Sequence, residues 1–255
     1  MYLTLDIGNT ASKYALFSEE GILRFHGVFA DVESLWQEEA LQGISLRACI
    51  FSTVRKDIPW LTGLDCPVHL FSSSMSLPIS IGYATPETLG ADRLAGVLGA
   101  KWLMEKVGKA AAEGNAAAEV KPSACLVIDA GTCVTYDWLD AEGCYLGGSI
   151  SPGLHMRYLA LHQQTGKLPL VSHEAYDLSW GRSTNESILC GVQQGMVGES
   201  HRQIALFLEK HAEGQVFITG GDGLFLAEQQ KTKIFVEPML VHYGLMHALT
   251  HHENK

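Results

Sequence analysis

One stretch of the chain occurs twice, and this repeat constrains the fold more than any other feature. LTLDIGNTASKYALFSEEG at 3–21 aligns with LVIDAGTCVTYDWLDAEG at 126–143 once a single residue is dropped. The alignment pairs Asp6 with Asp129, Gly8 with Gly131, Thr10 with Thr132, Tyr14 with Tyr136 and Gly21 with Gly143. Each copy reads as an apolar strand, a tight glycine turn, a second strand and an acidic hairpin turn. The chain is therefore expected to be α/β and built from two related halves, 1–115 and 124–255.

The segments after each hairpin fit that division. In the first half RACIFSTV and PVHLF read as strands, and LGADRLAGVLGAKWLMEKVG reads as a helix with Leu94, Val97, Leu98 and Leu103 toward a core. In the second half Ser183, with Glu186 three residues later, marks a helix start. The helix that follows, 185–211, places Ile188, Val192 and Met196 on one face. QVFITGG and KIFVEP read as further strands, and 243–249 as a closing helix. The Ala-, Gly- and Glu-rich run 108–122 either extends the preceding helix or links the halves.

An Asp at a strand end, followed by a Gly turn and a Thr, gathers a carboxylate and several backbone N–H groups at one point. The amides suit phosphate oxygens and the carboxylate suits a hydrated metal. A single D-x-G is an ordinary hairpin turn. Two copies at equivalent places, however, match the phosphate clamp of the duplicated ribonuclease H-like fold of the actin/hexokinase/sugar-kinase superfamily, with two mixed-sheet halves and flanking helices. In DIGNTASK, Lys13 lies where its ammonium could reach terminal phosphates. TGGDG at 219–223 follows a strand and opens a helix, as expected of a segment that lets adenosine or phosphate approach the backbone.

Charge narrows the partners. A net charge of −10, with only 18 Lys and Arg residues, leaves no basic stripe for nucleic acid. The six cysteines show no C-x-x-C spacing, and no apolar run is long enough to span a bilayer. A cytoplasmic protein without membrane or nucleic-acid partners is expected. His247 and His251 are spaced for a metal but read as a solvated helix face, and Asp137 and Asp140 read as hairpin residues serving solubility and the turn.

Beyond the repeat, GADRLAGVLGA at 90–100 resembles the G-x-D-R signature of type III pantothenate kinases. GGSISPGLHMRYLALHQQTGKLP at 147–169, GRSTNESILCGVQQG at 181–195 and HYGL at 242–245 resemble further blocks of that family, in family order. TGKLP departs slightly, since a small residue is expected in place of Gly166 or Lys167. The resemblance implies ATP-dependent phosphorylation of pantothenate to 4′-phosphopantothenate, the first step of coenzyme A biosynthesis, by a homodimer.

Carried over residue by residue, the resemblance implies ATP phosphates held by Asp6, Ile7, Gly8, Asn9, Thr10, Ala11, Ser12 and Lys13, with Thr132, Gly220 and Gly221 completing the nucleotide site. Asp6 would hold a divalent ion, magnesium, through water. Asp129 would hold a monovalent cation, potassium or ammonium. Pantothenate would rest on Tyr83, Gly90, Ala91, Asp92, Arg93 and Thr184, with Asp92 accepting the proton of the attacking hydroxyl. A different role for Asp92 is a carboxylate stabilising a helix N-terminus. Other function classes open to this sequence are another small-molecule kinase of the superfamily and a regulatory accessory protein on the same fold.

Overall fold

A computed structural model describes residues 1–55, 64–114, 123–174 and 179–253. In chain order the elements are β1 Tyr2–Ile7, β2 Ser12–Phe17, β3 Leu23–Phe29, α1 Val32–Gln37, β4 Ala48–Thr53, β5 Val68–Leu70, β6 Ser80–Ile81 and α2 Ala91–Gly114. They continue with β7 Cys125–Ala130, β8 Cys133–Leu139, β9 Cys144–Pro152, α3 Leu154–Gln163, α4 Thr184–Lys210, β10 Gln215–Thr219, α5 Gly223–Glu228, β11 Phe235–Val236 and α6 Leu240–Glu253. Two compact units result, one of Met1–Ser123, Leu139–Leu146 and Met239–Lys255, the other of Ala124–Trp138 and Gly147–Pro238.

The first unit carries the strand order β3-β2-β1-β4-β5. β1 runs antiparallel to β2 and parallel to β4. Alternation along β1 splits its side chains between two cores. Leu3, Leu5 and Ile7 pack with Leu35 of α1, while Tyr2 packs with Leu94, Leu98, Leu245 and Leu249 of α2 and α6. Thr4 and Asp6 share the face of Tyr2, so β1 presents its polar residues toward the helices that cover that face.

α2 and α6 meet almost backbone to backbone. A Cβ on Gly99 would run into the Leu240 carbonyl, and one on Gly244 into the Ala95 carbonyl. Trp102 stacks on Tyr243 with ring centroids 4.9 Å apart, closing the same seam. His242 is buried at its base, where Nδ1 lies 2.8 Å from Thr4 Oγ1.

In the second unit β7, β8, β10 and β11 lie in the order β11-β10-β7-β8, with β9 beyond β8. This is the order of the first sheet read from the other edge, with β7 in the place of β1 and β10 in that of β4. β10 pairs in parallel with β7, placing Thr219 opposite Asp129 as β4 places Ser52 opposite Asp6. The repeat extends to turn geometry: Gly21 and Gly143, paired in the sequence, both take a positive φ, 73° and 80°. Leu126, Ile128, Val134 and Tyr136 form one core with Ile188, Val192 and Met196 of α4.

One open alternative is decided and two local expectations change. The helix at 89–108 runs on to Gly114, so the start of the Ala-rich run is helical, and 115–122 lies outside the described residues. His247 is not on a solvated face, because α6 turns it onto α2, with Nδ1 3.4 Å from the Leu98 carbonyl. Asp137 is 1% exposed, in β8, an interior strand flanked by β7 and β9. Asp140 does serve its turn, accepting the Cys144 N–H at 2.7 Å.

Candidate functional site

The first hairpin closes with the Gly8 N–H donating to the Ala11 carbonyl at 3.1 Å, which leaves Asn9 and Thr10 exposed at the tip and Ser12 buried behind it. Asp6 and Lys13 are register partners flanking the turn, so carboxylate and ammonium leave from one rung of the ladder. Ser52 Oγ donates to Asp6 Oδ1 at 2.9 Å. Burial pushes the Asp6 carboxyl above its ordinary value; the Ser52 hydrogen bond opposes this, the Asp92 charge adds to it, and Lys13 opposes it again.

That Asp92 influences Asp6 puts the two carboxylates in one electrostatic neighbourhood of the first unit. Asp92 stands in the first turn of α2, after Gly90, whose carbonyl accepts the Leu94 N–H at 3.2 Å. A Cβ on Gly90 would lie 2.7 Å from Asp92 Oδ1, so glycine is needed for this carboxylate orientation. The Arg93 N–H donates to Asp92 Oδ1 at 2.9 Å and fixes its rotamer. The Arg93 side chain is buried, its guanidinium 5.9 Å from the centre of the Tyr83 ring, and Tyr83 in turn lies 6.0 Å from Tyr145. Tyr83, Gly90, Ala91, Asp92 and Arg93 thus form one group, anchored by buried aromatic and cationic side chains.

In the second unit the turn between β7 and β8 has the Gly131 N–H donating to the Cys133 carbonyl at 2.9 Å, leaving Thr132 exposed. Gly220 holds φ 92° and approaches so closely that a Cβ would meet the Ala130 carbonyl and the Asp129 carboxylate. The Asp222 N–H donates to the same Ala130 carbonyl at 2.9 Å. Asp129, Thr132, Gly220 and Gly221 therefore converge around one turn. Burial raises the Asp222 carboxyl, with His173 and His155 opposing the shift.

Thr184 is the first residue of α4, just after Ser183, whose Oγ accepts the Glu186 N–H at 3.3 Å. Glu186 accepts the Arg182 N–H at 2.6 Å. Thr184 borders a groove of about 1190 Å³ between α3 and α4, floored by Met156, Leu161, Ile188 and Val192. Arg157 crosses its wall, paired with Glu199 at 2.5 Å and bonded to the Pro152 carbonyl at 2.7 Å.

The predicted residues thus fall into four sets. The first hairpin and the Tyr83–Arg93 group lie in the first unit, while the second hairpin with TGGDG, and the start of α4, lie in the second. Sequence reasoning missed Ser52 and Arg55. Both follow the apolar run ACIF, Ser52 within the strand parallel to β1 and Arg55 two residues past its end, and only the pairing of β4 with β1 brings them to the hairpin.

The donors suit hard, hydrated cations. Asp6 and Asp92 bring two carboxylates into one region, and Asp129 lies beside backbone carbonyl oxygen. Among the described residues no three His, Cys, Asp or Glu side chains converge on one point, so a divalent ion here would keep most of its water shell.

Comparisons with known proteins follow the same lines. The family model for type III pantothenate kinase matches residues 2–205. A type III pantothenate kinase of Bacteroides fragilis is 37% identical over 260 residues, covering all of both chains. One of Porphyromonas gingivalis is 39% identical over 270 residues, covering 97% of each. Among solved structures, a Sinorhizobium meliloti protein provisionally assigned as a 2-dehydro-3-deoxygalactonokinase superposes with a TM-score of 0.56 at 13% identity, covering 97% of this chain and 98% of that one. This likeness is one of fold, the actin/hexokinase/sugar-kinase fold.

Proposed function

The chain belongs to the type III pantothenate kinase family, and on that premise we propose how its residues carry out ATP-dependent phosphorylation of pantothenate to 4′-phosphopantothenate, the first step of coenzyme A biosynthesis. The observation that carries the proposal is the position of Asp92, fixed by Gly90 and the Arg93 N–H and within electrostatic reach of Asp6.

The primary hydroxyl of pantothenate attacks the γ-phosphorus of ATP, and its proton passes to the Asp92 carboxylate as the new O–P bond forms. The bond from the γ-phosphorus to the β,γ-bridging oxygen breaks, and ADP leaves. Little covalent work falls to the protein, so alignment and charge carry most of the catalysis. Arg93, buried and fixed under Tyr83, holds the pantothenate carboxylate, with Tyr83, Gly90, Ala91 and Thr184 shaping the substrate site.

Asp6, Ile7, Gly8, Asn9, Thr10, Ala11, Ser12 and Lys13 hold ATP phosphates through turn amides, hydroxyls and the Lys13 ammonium. Thr132, Gly220 and Gly221 serve the same nucleotide. Asp6 would hold magnesium and Asp129 potassium or ammonium. When bound, these cations offset the negative charge of phosphates placed among carboxylates.

We infer that the enzyme works as a homodimer in the cytoplasm, without membrane or nucleic-acid partners. Among the described residues no helix is long and apolar enough to cross a membrane. For the dimer, support comes from the outer face of α4, where Gly191, Gly195 and Gly198 are exposed beside the apolar groove. The test is a coupled ADP-release assay with pantothenate, a sugar panel and acetate, with and without potassium. Release with pantothenate alone, stimulated by potassium over sodium, is expected. Turnover of a sugar or acetate in preference to pantothenate overturns the substrate, and equal turnover in the two salts removes the monovalent cation.

A further inference from the structure

Arg55 stands just past the end of β4, at the carboxyl end of the parallel pair β1–β4. Ligands of open α/β sheets collect at that edge. The strands end together, Ile7 beside Thr53, and the Val54 N–H still donates to the Ile7 carbonyl at 3.3 Å. The Arg55 N–H then folds back on Thr53 Oγ1 at 3.1 Å, which turns the side chain across the neighbouring hairpin. Its Nε donates to the Gly8 carbonyl at 2.8 Å and its Nη2 to Ser12 Oγ at 3.4 Å.

A guanidinium has two bidentate edges. The one made of Nε and Nη2 is spent on the hairpin. The other, made of Nη1 and the second Nη2 hydrogen, meets no partner among the described residues. None of their carboxylates lies within ion-pair distance of Arg55, whose side chain is exposed. An arginine held rigid along one edge and open along the other suits a phosphate, whose oxygens match the fork.

Charge in the first unit points the same way. Asp6 and Asp92 repel one another and would both repel a polyphosphate, while in the hairpin itself only Lys13 carries positive charge. We propose that Arg55 is a second phosphate-binding cation of the nucleotide site, its Nε edge holding the hairpin and its Nη1 edge bonding the terminal phosphate oxygens of ATP. The proposal rests on the reading that the first hairpin holds the ATP phosphates.

The test measures affinities for a non-hydrolysable ATP analogue, ADP and AMP on the parent, Arg55→Met, Arg55→Lys and Lys13→Met. Charge-assisted hydrogen bonds of this kind are worth about 10- to 100-fold in affinity. Arg55→Met is expected to lose that factor for the ATP analogue, less for ADP and almost nothing for AMP, with the KM for pantothenate unchanged. Arg55→Lys, which keeps the charge but not the fork, is expected to fall between. No loss, or an equal loss for all three nucleotides, overturns the proposal, because an arginine that merely braces the hairpin does not sense phosphate number. Lys13→Met judges the underlying reading separately. Unchanged affinity for the ATP analogue in that variant removes the hairpin from the phosphate site and the proposal with it.

Discussion

Ser52 Oγ donates to Asp6 Oδ1 at 2.9 Å across the parallel pair β1–β4, where the two residues are register partners. One carboxylate oxygen is thereby fixed and the other left available to a hydrated cation. The protein holds this carboxyl ready at a cost, because burial and the Asp92 charge both favour its protonated form.

A carboxyl raised in the folded state loses stability as pH climbs from the unfolded value through the folded one. Asp6→Asn keeps the acceptor for Ser52 and removes the buried charge. The ligand-free variant is expected to melt above the parent at neutral pH, with the gap closing below the ordinary carboxylate range. Its turnover should nevertheless drop at least ~100-fold, as for the loss of a placed electrostatic group. Thermal scans at several pH values together with a rate assay check both halves; a variant melting well below the parent at neutral pH contradicts the first.

Asp92→Asn keeps the shape, the Arg93 N–H contact and the turn, but loses the basic lone pair. General-base help runs to roughly 10²- to 10⁴-fold, so turnover should fall by at least about 10²-fold with near-normal affinity for an ATP analogue. A carboxylate serving only the α2 N-terminus would instead cost about 0.3–1 kcal/mol of stability and leave the rate nearly intact. Turnover within a few-fold of the parent would show that Asp92 is not the base.

His242 is buried against Thr4, and burial, assisted by Lys13 and His26, pushes its pKa down to about 3. Unfolded, it titrates near its ordinary value of 6.5. The unfolded chain therefore binds the extra proton between those values, and stability complete above pH 6.5 drains away as pH falls toward 3. His242→Asn keeps a polar atom near the Nδ1 position and removes the titration. Urea midpoints at pH 7 and pH 5 should differ less in the variant than in the parent. An identical pH dependence in both would assign the acid sensitivity elsewhere.

Gly198 has open space where a Cβ would stand, on the exposed face of α4. Gly198→Arg is expected to halve the mass seen by light scattering while leaving the melting of the isolated chain nearly unchanged. A parent that scatters only as a 27.8 kDa species at micromolar concentration removes the dimer altogether.

The parts of the fold that were legible in the sequence were the local ones. Gly21 and Gly143 announced their turns because each needs a backbone conformation that L side chains avoid, and Asp6 and Asp129 announced strand ends by breaking an apolar run. Ser183 and Glu186 marked the start of α4 for similar reasons. Ser52 and Arg55 stayed hidden because their importance comes from the pairing of β4 with β1, which brings Ser52 to Asp6 across 46 residues and Arg55 to Gly8 across 47. His247 and Asp137 misled because polarity was read as exposure. One faces a helix whose approach is set by Gly99 and Gly244, and the other sits in a strand with neighbours on either side.

The seam between α2 and α6 also bears on how the chain is made. Residues 1–123 leave the ribosome well before 240–253, yet the core around Leu94 and Leu98 is finished by Leu245, Met246 and Leu249 of α6. At roughly 5–20 residues per second, the nascent first unit waits on the order of ten seconds for its closing helix. Throughout that interval the apolar side chains destined to meet α6 are uncovered. A chain that stopped before Leu240 would carry every proposed catalytic residue and have no finished core to hold them.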